Sequence, residues 1–200
     1  MGWQLHKTVV MVGMMGAGKT AVGRALAARL GVAFLDSDAE IESAARRSIP
    51  EIFAQDGEPF FRDKEKQVIG RLLDGPRAIL STGGGAYMAA ETRAMISARG
   101  VAVWLDADLD LLWQRVRHKD TRPLLRAPDP RGTLAALYAA RVPVYALADL
   151  RVQVEPKFTI RDTAERVIEL LLTRPDVLER PDGVKGPDDL KGPDDLKGKG

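Results

Sequence analysis

No cysteine occurs anywhere in the 200 residues. Disulfides, thiolate-held zinc, iron–sulfur clusters and thiol catalysis are therefore excluded, which fits a reducing compartment. Histidine is scarce as well: His6 and His118 are the only two, they lack the spacing of metal ligands, and both are expected at the surface. A strong excess of one charge is also missing. Lys and Arg number 30 against 28 Asp and Glu, a formal +2, too balanced to announce nucleic-acid binding. No run approaches the roughly 20 apolar residues of a membrane span, and the opening MGWQLHKTVVMVG lacks the layout of a secretory signal. A cytoplasmic protein with no nucleic-acid or membrane partner is the expectation. Trp3, Trp104 and Trp113 read as packing residues rather than as a base-stacking platform.

What is present suits one globular domain. The chain is 45% hydrophobic and long enough to bury a core without cross-links. Its end is different. Residues 181–200 hold five Gly, three Pro, five Asp and four Lys, with GPDDLK repeated at 186–191 and 192–197. Such a segment buries too little apolar surface to offset its ordering entropy. The expected division is a domain over 1–174 and a disordered tail over 175–200. With five basic and seven acidic residues the tail carries −2, which leaves +4 on the domain and suits an anionic small molecule.

Before the tail, apolar runs alternate with helical patterns. Thr8–Val12, residues 33–35, Ala78–Ser81, residues 101–105 and Leu150–Val154 read as strands. Lys19–Leu30 reads as a helix stopped by Gly31. Ser48 and Glu51 form the pattern of a capping box with Pro50 just inside, Gly57 ends that helix, and Pro59 opens another to about Leu73. Asp162 with Glu165 is expected to cap a last helix running to about Leu172. Continuous apolar strands alternating with helices imply a parallel sheet covered on both faces, an α/β three-layer sandwich.

The first strand runs into Gly13-Met14-Met15-Gly16-Ala17-Gly18-Lys19-Thr20, a complete G-x-x-x-x-G-K-[ST] between a buried strand and an amphipathic helix. Glycines let backbone N–H groups converge on phosphate oxygens, and the helix start adds its positive dipole. Lys19 is expected on the β- and γ-phosphates and Thr20 on Mg²⁺, with Gly16, Ala17, Gly18 and Ala21 completing the nucleotide cradle. A guanine-reading Asn-Lys-x-Asp segment is absent, which argues against a GTPase switch. Asp106 after residues 101–105 superficially fits the magnesium strand of motor ATPases. The helical run that follows favours a capping role for it instead.

A second group of polar residues follows. Asp36-Ser37-Asp38 places two carboxylates at a strand's carboxyl end, where α/β folds bind ligands, although an Asp there also suits a helix cap. Gly83, Gly84 and Gly85 after the third strand permit close approach of a ligand, or simply a flexible turn.

Taken in order, the phosphate loop, Asp36-Ser37-Asp38, Phe61-Arg62, Thr82-Gly83-Gly84-Gly85, Arg122-Pro123-Leu124-Leu125 and Arg141-x-Pro-x-Tyr145 resemble the shikimate kinase family over about residues 8–172. The resemblance implies a P-loop fold like that of the nucleoside monophosphate kinases, with strand order 2-3-1-4-5 and a mobile lid over about residues 117–132. It implies transfer of the γ-phosphoryl group of ATP to the 3-hydroxyl of shikimate, with Mg²⁺ as cofactor, and a monomer is the expectation. By position, Asp38 resembles the carboxylate that meets the substrate hydroxyl, and Asp36 one that serves magnesium through water. Arg62 and Arg141 resemble the pair gripping the shikimate carboxylate, Gly84 its backbone contact, and Arg122 the lid arginine on the ATP phosphates. Arginine's planar fork suits a carboxylate as lysine does not. The adenine contact stays open among Arg117, Lys157 and Arg161. Rival readings are a kinase for another small metabolite, such as gluconate or a nucleoside monophosphate, and a nucleotide-binding module without catalysis.

Deleting residues 181–200 should leave melting temperature and activity within error, because few apolar groups are removed. A clear loss of either would show that the repeat docks on the domain.

Overall fold

The computed structural model describes residues 2–117 and 128–180. His118, Arg122, most of the expected lid and the repeat tail lie outside the described residues.

Five parallel strands form the sheet: β2 (Thr8–Val12), β3 (Ala33–Asp36), β4 (Ala78–Ser81), β5 (Gly100–Ala107) and β6 (Leu150–Val154), after a short β1 (Gln4–Leu5). Their spatial order is β3-β4-β2-β5-β6, the expected 2-3-1-4-5 when only sheet strands are counted. Every residue of β2, β4 and β5 is buried, whereas the edge strands β3 and β6 are only partly covered. That is why the inner strands read as unbroken apolar runs.

The order also places the helices. From β2 the chain passes over β4 to β3 through α1 (Lys19–Leu30), and every later crossover runs in the opposite direction. Crossovers are right-handed, so α1 takes one face of the sheet. The other face receives α3 (Ile49–Leu73), α4 (Ala90–Arg99) and α6 (Pro130–Tyr145), while α7 (Ile160–Leu171) packs beside α1. The direction reverses at β2 and opens a crevice at its carboxyl end.

Local signals account for most boundaries. The Ser48–Glu51 capping box is made, with Ser48 N–H donating to Glu51 Oε2 at 2.7 Å. Gly57 bends α3 at φ 81°, ψ 171°, and Pro59 opens its second half, as expected. Around that bend, α2 (Ser37–Ala45) and the start of α3 enclose a second small core of Ile41, Ile52 and Phe61. Trp104 is buried, Trp3 and Trp113 pack at the core margin, and His6 is exposed.

Three expectations are corrected. The last helix starts one turn earlier: Thr159 is its cap, its Oγ1 accepting from the Asp162 backbone N–H at 3.1 Å, and the Asp162 carboxylate accepts in return from the Thr159 N–H at 2.9 Å. The earlier start gains a turn of backbone hydrogen bonds and still uses Asp162. Asp106 is not a cap. It lies inside β5, 5% exposed, and accepts from Arg151 Nε at 2.8 Å, while Asp108 caps α5 (Leu109–Val116) by accepting from Leu111 N–H. The tail does not begin at 175, because β7 (Leu178–Glu179) pairs antiparallel with β1 and buries Val177 and Leu178 in the main core. Two apolar side chains and a partner strand outweigh the polar composition around them.

Leu178 is 1% exposed. Leu178→Ala should cost about 2–5 kcal/mol in chemical denaturation, in contrast to the silent deletion of residues 181–200. An unchanged midpoint would mean that β7 contributes nothing to the fold.

Candidate functional site

The phosphate loop joins β2 to α1. Gly13, Gly16 and Gly18 have φ of 137°, 83° and 103°, a region that L side chains rarely enter, so the loop's curvature requires glycine there. Within this curl Lys19 Nζ donates to Gly13 O at 2.8 Å and Met14 O at 3.1 Å. Residues Gly16, Ala17, Gly18, Lys19, Thr20 and Ala21 line a cleft of about 490 Å³ that also contains Asp36, Asp38 and Gly84.

Asp36 has two tasks, one for each oxygen. Oδ1 accepts from the N–H groups of Asp38 and Ala39, capping α2, while Oδ2 accepts from Thr20 Oγ1 at 3.3 Å. The capping and ligand-facing alternatives therefore coexist. Ser81 Oγ lies 3.3 Å from Thr20 Oγ1 on its other side. A carboxylate and two hydroxyls are hard oxygen donors that suit Mg²⁺. Among the described residues no group of three or more His, Cys, Asp or Glu could hold a metal.

The second half of the site surrounds the glycines after β4. A Cβ at Gly83 would lie 2.8 Å from Asp38 Oδ1 and 2.9 Å from Glu65 Oε1. Both carboxylate oxygens are buried without a hydrogen-bond partner. At Gly85 a Cβ would lie 2.5 Å from Arg62 Nη2, and at Gly84 it would lie 3.5 Å from Arg141 Nη1. Asp38, Arg62, Gly84 and Arg141 thus meet on one short stretch of backbone. Arg122 lies outside the described residues.

Glu65 was not among the expected residues. It is 3% exposed and accepts from Arg62 Nη1 at 2.7 Å, while Glu58 Oε1 accepts from Arg62 Nε at 3.1 Å. The spacing of Arg62 and Glu65 on a helix was the available signal. Burial pushes both Asp38 and Glu65 above the usual carboxylate range. Asp36 adds to the effect on Asp38, whereas Arg62 is the main opposing influence on Glu65.

At the nucleotide end, Arg115 reaches from α5 to donate to Gly16 O at 3.2 Å and Ala17 O at 3.3 Å. It lines the cleft together with Val154, Phe158, Thr159, Ile160 and Thr163, and Arg117, Lys157 and Arg161 are not among its lining residues. Lys157 pairs with Glu155 at 2.8 Å instead. No sequence signal separated Arg115 from its basic neighbours.

Residues 15–172 match the family described as shikimate kinase. The shikimate kinase of Ruegeria pomeroyi is 69% identical over 175 residues, which covers 88% of this chain and 90% of the relative. That of Cereibacter sphaeroides is 67% identical over 176 residues, 88% of each chain. The structure of shikimate kinase from Acinetobacter baumannii in complex with shikimate superposes with a TM-score of 0.79 at 39% identity, covering 84% of this chain and 93% of that one.

Asp38 binds its proton more tightly folded than unfolded. Its contribution to stability therefore falls as pH rises from the ordinary 3.8 through the folded-state pKa, and stays low above it. Asp38→Asn should remove that loss and raise the melting temperature at neutral pH, by about 2–4 °C for each kcal/mol relieved. Melting curves from pH 4 to 8 check the sign, and a variant that melts below the parent at pH 7 would overturn it.

Proposed function

The chain belongs to the shikimate kinase family, and from that premise we propose how its own residues carry out the reaction. It is an ATP-dependent kinase that phosphorylates shikimate, giving shikimate 3-phosphate and ADP. The assignment of roles rests on one observation above all. Asp38, Arg62 and Arg141 surround residues 83–85 at the edge of the cleft that holds the phosphate loop. A ring acid with hydroxyl groups presents the complement, an anion for two guanidinium forks and an alcohol for a carboxylate.

Arg62 and Arg141 hold the shikimate carboxylate, and the backbone N–H of Gly84 contributes a third contact. With the ring so anchored, Asp38 orients the 3-hydroxyl toward the γ-phosphorus and accepts its proton. Its raised pKa brings it closer to the operating pH, where a base both remains ionised and binds a proton usefully. The backbone N–H groups of residues 16–21 and the Lys19 ammonium take up charge on the transferring group, and Arg122 adds a second cation from the lid. Thr20 Oγ1, with Asp36 acting through water, would hold a magnesium ion, which supplies neutralisation of phosphate charge when bound. Phosphoryl transfer passes through a loose transition state, so positioning and charge stabilisation are what the protein provides.

Replacing Arg62 or Arg141 by Lys keeps the charge and removes the fork. Each change should raise the KM for shikimate roughly ten- to a hundredfold, since a charge-assisted hydrogen bond contributes about 1.5–3 kcal/mol. The KM for ATP should stay nearly constant. Steady-state kinetics with each substrate varied checks this, and unchanged shikimate dependence in both variants would remove them from the site.

A further inference from the structure

Tyr145 ends α6 and is fully buried, which is unusual for a side chain with a polar tip. Its hydroxyl donates to Gly84 O. Arg141 lies one turn earlier on the same helix face, and its guanidinium acts electrostatically on the same hydroxyl. A Cβ at Gly84 would be 3.5 Å from Arg141 Nη1 and 3.7 Å from Tyr145 Oη, so the three groups meet at one point. A phenol has a single proton. Spent on Gly84 O, it leaves only lone pairs facing Arg141, which has only donors. Turning the hydroxyl would break its bond to Gly84 O and aim its proton toward a cation.

The ring is held as firmly as its tip. It stacks on Trp104 with centroids 6.3 Å apart and planes 25° from parallel. The Arg151 guanidinium lies 5.0 Å from the centre of the Trp104 ring, and Asp106 anchors that arginine. Burial pushes the phenol up to about 12, against the pull of Arg141, so the proton stays on oxygen throughout the physiological range.

We infer that Tyr145 is a positioning residue for the substrate carboxylate, tying the Arg141 guanidinium to the Gly84 peptide at a set separation. The inference rests on the assignment of Arg141 and Gly84 to that carboxylate. It adds the reason that two partners from distant parts of the chain present themselves at one spacing before any ligand arrives. A ring needed only to fill space between α6 and the sheet would not require its oxygen.

Tyr145→Phe keeps the ring and removes that oxygen. Losing the hydroxyl that holds Gly84 O and faces the Arg141 guanidinium should raise the KM for shikimate about three- to tenfold. Turnover and the KM for ATP should stay within about twofold of the parent. The deciding measurement is a cycle with Arg141→Lys. If Tyr145 acts through the Arg141 fork, adding Tyr145→Phe to Arg141→Lys should weaken shikimate by less than about twofold more. Multiplicative penalties, or an unchanged shikimate KM in Tyr145→Phe beside a raised one in Arg141→Lys, would overturn the inference. An unchanged KM in Arg141→Lys itself would instead sink the carboxylate assignment beneath it.

Discussion

The backbone of residues 83–85 is crowded by charged side chains on every flank, and it can be so only because it carries none of its own. Asp38 and Glu65 close on Gly83, Arg141 and Tyr145 on Gly84, and Arg62 on Gly85. These side chains come from three different helices, α2, α3 and α6. They converge because β4 ends beside β2, where the sheet's direction of travel reverses. The phosphate loop leaves the neighbouring strand end, so the nucleotide and acceptor halves share one rim. A methyl group at residue 83 would displace both carboxylate oxygens it faces.

That convergence has an electrostatic cost. Two carboxylate oxygens without hydrogen-bond partners lie buried on the same glycine, each group shifted toward its neutral form. Arg62 offsets part of this through Glu65, and Lys19 and Arg62 also pull on Asp38. The rest is strain of the kind that concentrates where an acidic oxygen must face a reacting group. A large core running up to the rim supports it: the inner strands are wholly buried, and both sheet faces are covered by helices.

Fold and chemistry were legible in the sequence to different depths. Strands β2, β4 and β6, the stop at Gly31 and the bend at Gly57 followed from local patterns, because each depends on residues adjacent in the chain. Strand order was not local and came through the family resemblance. The cap of α7 was placed a turn late because Thr159 and Asp162 both head a plausible box. Asp106 was misread since its partner, Arg151, lies 45 residues away on another strand. In the site, the phosphate loop declared itself by spacing alone. Glu65, Arg115 and the role of Tyr145 did not, because each is defined by what it meets across the fold.

The pairing of β1 with β7 bears on how the molecule comes into being. Residues 4–5 find their hydrogen-bond partners only at residues 178–179, and Lys7 its counter-ion at Asp176, 2.7 Å away. Those partners follow every strand of the five-stranded sheet in the chain, so β1 cannot be paired until all of them have been synthesised. Closing so long a loop costs little more than closing a shorter one, since the entropy grows only with the logarithm of length. The core is therefore complete only when residues 177 and 178 are in place, with β7 closing on β1.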